Sequence, residues 1–191
     1  MDETDFLQEG EVYCFVETEA GGQLLTGSVI ITRSPALHPG DVQCVTAVDP
    51  PEDSPLRSLH NVVVFSSRGQ RDLPSQLSGG DLDGDLYNVI YDQTLYPKRL
   101  AHPADYTNQP PIDIGRPVER SDMTDFFILF MENDALGLIA TLHQVLADQK
   151  ELGTFDRECI LLAEMHSTAV DFSKTGIPVS FCTRHLMHNA E

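Results

Sequence analysis

The chain has 191 residues, 41% hydrophobic and 22% charged, which suits one ordinary domain with a buried core or a domain carrying an appended helical segment. Its 30 acidic residues against 12 basic ones give a formal net charge of −18, so contact with nucleic acid requires divalent cations or a second, basic protein surface. Scattered cysteines (Cys14, Cys44, Cys159, Cys182) without a C-x-x-C pair, an acidic start without a signal pattern and no long apolar run predict a soluble intracellular protein, nuclear or cytoplasmic, away from membranes.

The predicted elements begin with strands. From Val12 to Tyr91 the segments VYCFVET, QLLTGSVIIT, VQCVTAV, NVVVFS and LYNVIY are rich in Val, Ile, Tyr and Phe, with Gly, Pro and Asp between them. No helical pattern intervenes, which predicts a small barrel or sandwich rather than a doubly wound sheet, and a barrel over residues 10–95 is the expectation. Residues 96–120 hold five prolines and little apolar periodicity and read as an extended connector. Residues 121–180 read as helical: Phe127, Phe130, Leu138, Leu142 and Leu146 fall at helical spacing, with Ser121 as the expected N-cap and an interruption expected at Asn133 to Ala135. A further helix is expected from about Asp156 to Val170, with Ile160, Ala163, Met165 and Ala169 on its apolar face and His166 as a core or interface residue. Residues 181–191 form a tail without pattern, in which His185 and His188 receive no role. The fold class read from this order is α+β.

One stretch carries chemistry: SGGDLDGDLY, Ser78 to Tyr87. Three carboxylates crowded within about 5 Å repel one another by roughly 3 kcal/mol per pair at an effective dielectric of about 20, so something must offset them. Aspartates at alternate positions share one face of a strand, and Gly84 lets the backbone curl so that Asp81, Asp83 and Asp85 converge. Convergent carboxylate oxygens suit a hard cation, and magnesium, held by carboxylates and substrate phosphates, is the usual choice for phosphoryl and nucleotidyl transfer. Ser78, Gly79 and Gly80 are expected to keep the approach open to a bulky, phosphate-bearing ligand. An EF-hand loop fails on detail, because its sixth position, counted from Asp81, is Leu86 instead of glycine and a strand-like segment follows. On residue types alone a solvated acidic turn remains open, since Asp and Gly are favoured in turns.

Together with RSPALHPGD (Arg33 to Asp41), VVVFSSRGQRDLPSQL (Val62 to Leu77) and LLAEMHSTAVDFSKTGIP (Leu161 to Pro178), this stretch resembles the catalytic region of the eukaryotic cellular RNA-dependent RNA polymerases of RNA silencing. The resemblance covers about residues 24 to 180. It implies a double-psi β-barrel, the second of a pair that the family shares with multisubunit RNA polymerases, followed by the proline-rich connector and the helical segment. By resemblance, Asp81, Asp83 and Asp85 match the family's metal-binding catalytic aspartates, which hold Mg2+, with Mn2+ as a substitute, at the 3′-hydroxyl of the growing strand. The implied substrates are a single-stranded RNA template and nucleoside triphosphates, and the implied reaction is nucleotidyl transfer.

Arg33, His38, Arg68, Arg71 and Lys174 lie in the resembling segments. Arg33, Arg68, Arg71 and Lys174 are the expected nucleotide- and RNA-binding residues, with Arg68 and Arg71 first because they stand in the loop leading to the aspartates. Residue by residue, an ordinary surface charge or a local partner such as Asp72 accounts for these arginines equally well. His38, before Pro39 and Gly40, reads as a turn or packing residue. The family's catalytic core also needs a first barrel that supplies basic residues, and the chain has no room for it, so it reads as a catalytic fragment requiring that partner. The competing reading is a non-catalytic remnant that binds a divalent cation or a protein without turnover.

Overall fold

The computed structural model describes residues 1–19, 21–106 and 109–179. The tail, with Cys182, His185 and His188, lies outside the described residues. The described chain divides into two units, Met1–Tyr106 and Thr107 onward.

Alternation along one strand organises the first unit. In β1 (Glu11–Thr18), Val12 and Cys14 join one buried cluster, while Tyr13 and Phe15 face a second, so this strand is apolar on both faces. It is also paired on both edges. On one side the backbone N–H groups of Val48 and Leu25 donate to the carbonyls of Val12 and Cys14; on the other, Asn61 N–H donates to the carbonyl of Phe15. The partners are β4 (Val42–Ala47), parallel to the start of β1, β2 (Gly21–Leu24), antiparallel to its end, and β5 (Val62–Phe65), antiparallel on the opposite edge. β3 (Gly27–Arg33) pairs antiparallel with β4, and β6 (Tyr87–Ile90) pairs antiparallel with β3. The result is a mixed six-stranded sheet in the order β2-β1-β4-β3-β6, with β5 branching from β1.

The expected single strand QLLTGSVIIT is two strands. Leu25 is buried and its N–H is held by the Cys14 carbonyl, after which Gly27, at φ +88°, turns the chain away toward β4. Val12, Val29, Ile31, Val45, Phe65 and Leu77 form the larger cluster, and Leu7, Tyr13, Leu56 and Val64 the smaller. The acidic N-terminus closes over the latter: Asp2 is buried, and its carboxylate accepts the N–H groups of Thr4 at 2.8 Å and Leu7 at 2.7 Å. Burial works against that carboxylate, but these hydrogen bonds outweigh it and hold the group below the usual aspartate range. Of the stretch read as a connector, residues 96–106 belong to this first unit.

The second unit is built from α2 (Arg120–Asn133), α3 (Leu136–Gln149) and α4 (Arg157–Thr175). Helix α2 begins two residues earlier than a Ser121 cap allows. Asp122 accepts the Glu119 N–H at 2.8 Å, so Glu119 stands at the cap and Ser121 falls inside the first turn. Asp134 and Ala135 separate α2 from α3. Helix α4 is capped by Asp156, which accepts the Glu158 N–H at 2.9 Å, and runs past Val170 until Gly176 takes the left-handed conformation at φ +75°. Ile139 of α3 and Cys159, Leu162 and Phe172 of α4 are the buried centre of this unit, with the rings of Phe126 and Phe130 of α2 centred 5.9 and 5.7 Å from the Phe172 ring. His166 is buried on α4, and His143 on α3. The segment Arg120–Gln149 is long and apolar enough to cross a membrane, with a mean hydropathy of 1.3. Each of its two 14-residue helices, however, is about 21 Å long, short of a hydrocarbon core of about 30 Å.

Candidate metal centre

The site is a loop hung between a buried leucine and a half-buried tyrosine. The short helix α1 (Leu73–Gln76) is capped by Asp72, which accepts the Ser75 N–H at 2.8 Å, and it delivers Leu77 into the larger core cluster. Burial of that leucine contributes about 2 kcal/mol toward fixing the loop's start. Ser78 and Gly79 follow in the left-handed region, at φ +55° and +64°, and reverse the chain. Gly80 then passes through a tight gap: a Cβ there would stand 2.6 Å from the Tyr87 hydroxyl and 2.7 Å from Arg33 Cδ. The glycines therefore do not keep an approach open as expected. Tyr106 lies over Gly79, Tyr87 and Arg33 crowd Gly80, and their missing side chains serve close packing.

Beyond Gly80 the aspartates converge through their own backbone. Asp81 N–H donates to Asp85 Oδ2 at 2.9 Å, and Asp83 N–H donates to Asp81 Oδ1 at 3.1 Å. Gly84, at φ +136°, supplies the conformation that brings Asp85 back toward Asp81. One carboxylate oxygen from each of Asp81, Asp83 and Asp85 lies within 4.8 Å of the others. Asp81 and Asp83 are exposed, and Asp85 is partly buried. The far end of the loop is held by Tyr87, whose hydroxyl donates to the Asp81 carbonyl at 2.7 Å and whose ring sits edge-on to Phe65 at 4.9 Å. Burial, followed by the negative charge of Asp85, pushes the Tyr87 phenol up to about 12.

Arg33, at the end of β3, is the cation of this loop. Its Nε stands 2.7 Å from Asp85 Oδ2, and its Nη1 donates to the Ser78 carbonyl at 3.0 Å. The buried Nε–H points off the line to the carboxylate, so the contact is an ion pair more than an aligned hydrogen bond. Burial alone would lower the guanidinium pKa, but Asp85 outweighs it and the net shift is upward.

A second support lies behind the loop. Asp41 is buried: Oδ1 accepts the Ser78 N–H at 3.1 Å and the Tyr106 hydroxyl, while Oδ2 accepts the N–H groups of Leu37 at 3.1 Å and His38 at 2.9 Å. Burial drives its carboxyl up against the pull of these donors, and burial together with Asp41 drives the Tyr106 phenol up as well. Asp41 and Tyr106 are neighbours of the loop that residue spacing does not reveal, because Asp41 lies 37 residues from Ser78 and 65 from Tyr106. His38 caps the turn at Pro39–Asp41, its Nδ1 accepting the Gly40 N–H at 3.0 Å.

Among the expected phosphate ligands of the first unit, the structure gathers only Arg33 to the aspartates. Arg68 is bound in a fork by Asp5, at 2.8 and 2.9 Å, and by Gln8 at 2.8 Å. Arg71 donates to the carbonyls of Ser75 at 2.6 Å and Ala104 at 2.8 Å. Lys174 belongs to the second unit and stands 3.8 Å from Asp171. Beside the loop runs a groove of about 510 Å³, lined by Phe15, Val63, Leu82, Asp85, Leu86 and Tyr91 among others.

The donor set fits a small hard cation. All three ligands are carboxylates, and a 4.8 Å spread is close to the roughly 4.2 Å that separates opposite ligands of an octahedral magnesium, so small side-chain rotations close the gap. A mixed β-sheet carrying a glycine-shaped loop of three convergent aspartates defines a carboxylate centre of the kind used in phosphoryl and nucleotidyl chemistry. Comparisons give the family. The family model described as RNA dependent RNA polymerase matches residues 1–191, and the chain belongs to that family. It is 40% identical over 183 residues to a probable RNA-dependent RNA polymerase 1 of Oryza sativa subsp. japonica, an alignment covering 93% of this chain and 24% of that protein. With RNA-dependent RNA polymerase 6 of Arabidopsis thaliana it shares 44% identity over 168 residues, 87% of this chain and 14% of the other. Among solved structures, the RNA dependent RNA polymerase QDE-1 of Thielavia terrestris superposes with a TM-score of 0.68 at 26% identity, covering 92% of this chain and 21% of that one. The chain thus spans no more than 24% of the length of these relatives.

Proposed function

We propose that the chain is the catalytic module of an RNA-directed RNA polymerase, carrying out metal-dependent nucleotidyl transfer on a single-stranded RNA template for RNA silencing. The observation that carries this reading is the convergence of Asp81, Asp83 and Asp85 within 4.8 Å in a chain matched along its whole length by the polymerase family. In this reading the sheet is the second of two double-psi barrels, and the three aspartates hold Mg2+, or Mn2+ in its place. A bound divalent cation would supply the charge that lowers the pKa of the 3′-hydroxyl and steadies the departing pyrophosphate. The protein's own residues position and exclude: Arg33 and the Asp81 N–H orient Asp85, Tyr87 fixes the loop backbone, and Asp41 fixes its start. None of the aspartates needs to transfer a proton.

Nucleoside triphosphates and RNA require positive charge, and the arginines expected to supply it in the first unit are already committed. Arg33, Arg68 and Arg71 are each engaged by acceptors of their own unit. A basic first barrel, as the remaining polymerase core, supplies the phosphate contacts in this reading. The same observation favours a second reading, a metal- or protein-binding fold without turnover. Template-dependent incorporation of labelled nucleotide on single-stranded RNA, with Mg2+ or Mn2+, by this chain combined with a basic first-barrel chain separates the two when it is compared with the Asp85→Asn form, since a fold without turnover gives none in either. Incorporation that disappears in the variant supports catalysis, and incorporation equal in both forms rejects the assignment of the triad.

A further inference from the structure

Asp85 differs from its two neighbours, and the difference bears on which cation the triad accepts; the inference rests on the divalent-cation reading given above. The Asp85 side chain is only 18% exposed, and its Oδ2 is ion-paired with Arg33, Nε at 2.7 Å, and accepts the Asp81 N–H at 2.9 Å. Arg33 is itself held in place. Its side chain is 22% exposed, its Nη1 is tied to the Ser78 carbonyl at 3.0 Å, and its Cδ occupies the space left by the absent side chain of Gly80. The guanidinium therefore stands against Oδ2 as a fixed charge, braced at both ends of the loop that bears the aspartates.

We propose that Arg33 sets the cation selectivity of the triad by withholding Oδ2 of Asp85, so that Asp85 enters a coordination shell through one oxygen. Magnesium and manganese lose little by this, because a small octahedral cation keeps several waters and takes one oxygen from each carboxylate. Calcium loses more: it collects about 6–8 oxygens at longer distances and commonly takes both oxygens of a carboxylate. A bidentate Asp85 would have to push aside a partly buried guanidinium and leave its charge unpaired. Lysine cannot replace this arrangement, since one ammonium does not span both the carboxylate and the Ser78 carbonyl as the planar fork does. Arg33 is thus a positioning residue acting through Asp85, in place of the phosphate contact expected from the sequence.

The test is Mn2+ binding to the 191-residue chain, read from the loss of the free Mn2+ signal in electron paramagnetic resonance, with Mg2+ and Ca2+ as displacing ions. With the Mn2+ midpoint redetermined for each variant, Arg33→Gln is expected to move the ratio of the Ca2+ and Mg2+ displacement midpoints toward Ca2+ by about tenfold. Arg33→Lys is expected to move it in the same direction by less, and it decides the matter alone if Arg33→Gln does not keep the wild-type circular dichroism spectrum. A ratio unchanged within experimental error in the folded variants overturns the proposal, as does an equal loss of affinity for both ions. Asp83→Asn is expected to abolish Mn2+ binding. Wild-type-like binding by that variant, or no binding by the wild type, overturns the divalent-cation reading itself, a result distinct from an unchanged ratio.

Discussion

Tyr87 joins the core to the chemistry with a single side chain. Its ring packs on Phe65 while its hydroxyl holds the Asp81 carbonyl, so Tyr87→Phe separates the two roles. Loss of that hydrogen bond should cost about 1 kcal/mol in a denaturant titration at neutral pH, with the apolar packing kept. The phenol also gives the protein an alkaline limit. Its folded value lies near 12 against 10.0 for an ordinary tyrosine, so its contribution is complete below about pH 10 and is lost as the pH rises to about 12. Thermal melts from pH 9 to 12 should therefore fall less steeply for Tyr87→Phe than for the wild type, and parallel curves would contradict that account. Asp5 acts in the opposite sense, because Arg68 holds its carboxyl below the usual range and its contribution fades as the pH falls through that range.

The loop as an element depends on two glycines for different reasons. Gly80→Ala forces a Cβ to within 2.6 Å of the Tyr87 hydroxyl and 2.7 Å of Arg33 Cδ, an overpacking expected to cost about 1–3 kcal/mol and to weaken Mn2+ binding by disturbing both struts. Gly84→Ala meets nothing within 4 Å, so its cost is the strain of a side chain at φ +136°, about 1–2 kcal/mol. Calorimetry on both variants checks the order, and a Gly80→Ala protein as stable as the wild type would remove the close-packing account. The convergence of the aspartates was legible in the sequence because their spacing is local and Gly84 stands between the last two. Their supports were not, since Asp41 reaches Ser78 across 37 residues and Tyr106 across 65, pairings that only the folded sheet creates. Element boundaries slipped for local reasons. QLLTGSVIIT carries a continuous apolar pattern that hides the turn at Gly27, and Ser121 is a better cap by type than Glu119 but lacks the Asp122 carboxylate that holds the Glu119 N–H.

At the scale of the whole molecule, charge and apolar exposure point the same way. The net charge of −18 repels a polyanion unless cations or a basic surface intervene, and the Asp5 fork on Arg68 shows one local base consumed by the chain's own acidic N-terminus. Helix α2 leaves Met123, Phe127 and Met131 exposed at 65%, 63% and 63%, an apolar surface on which the isolated chain should self-associate. Light scattering across a concentration series should show that association and should show less of it for Phe127→Glu; a clean monomer at all concentrations would contradict the expectation. The most direct test of the central claim is template-dependent nucleotide incorporation on single-stranded RNA in Mg2+, by this chain combined with a basic first-barrel chain of the family. The account predicts incorporation that requires both chains, the cation and the triad, and that is lost in Asp83→Ala. Undiminished incorporation by the Asp83→Ala core would contradict it.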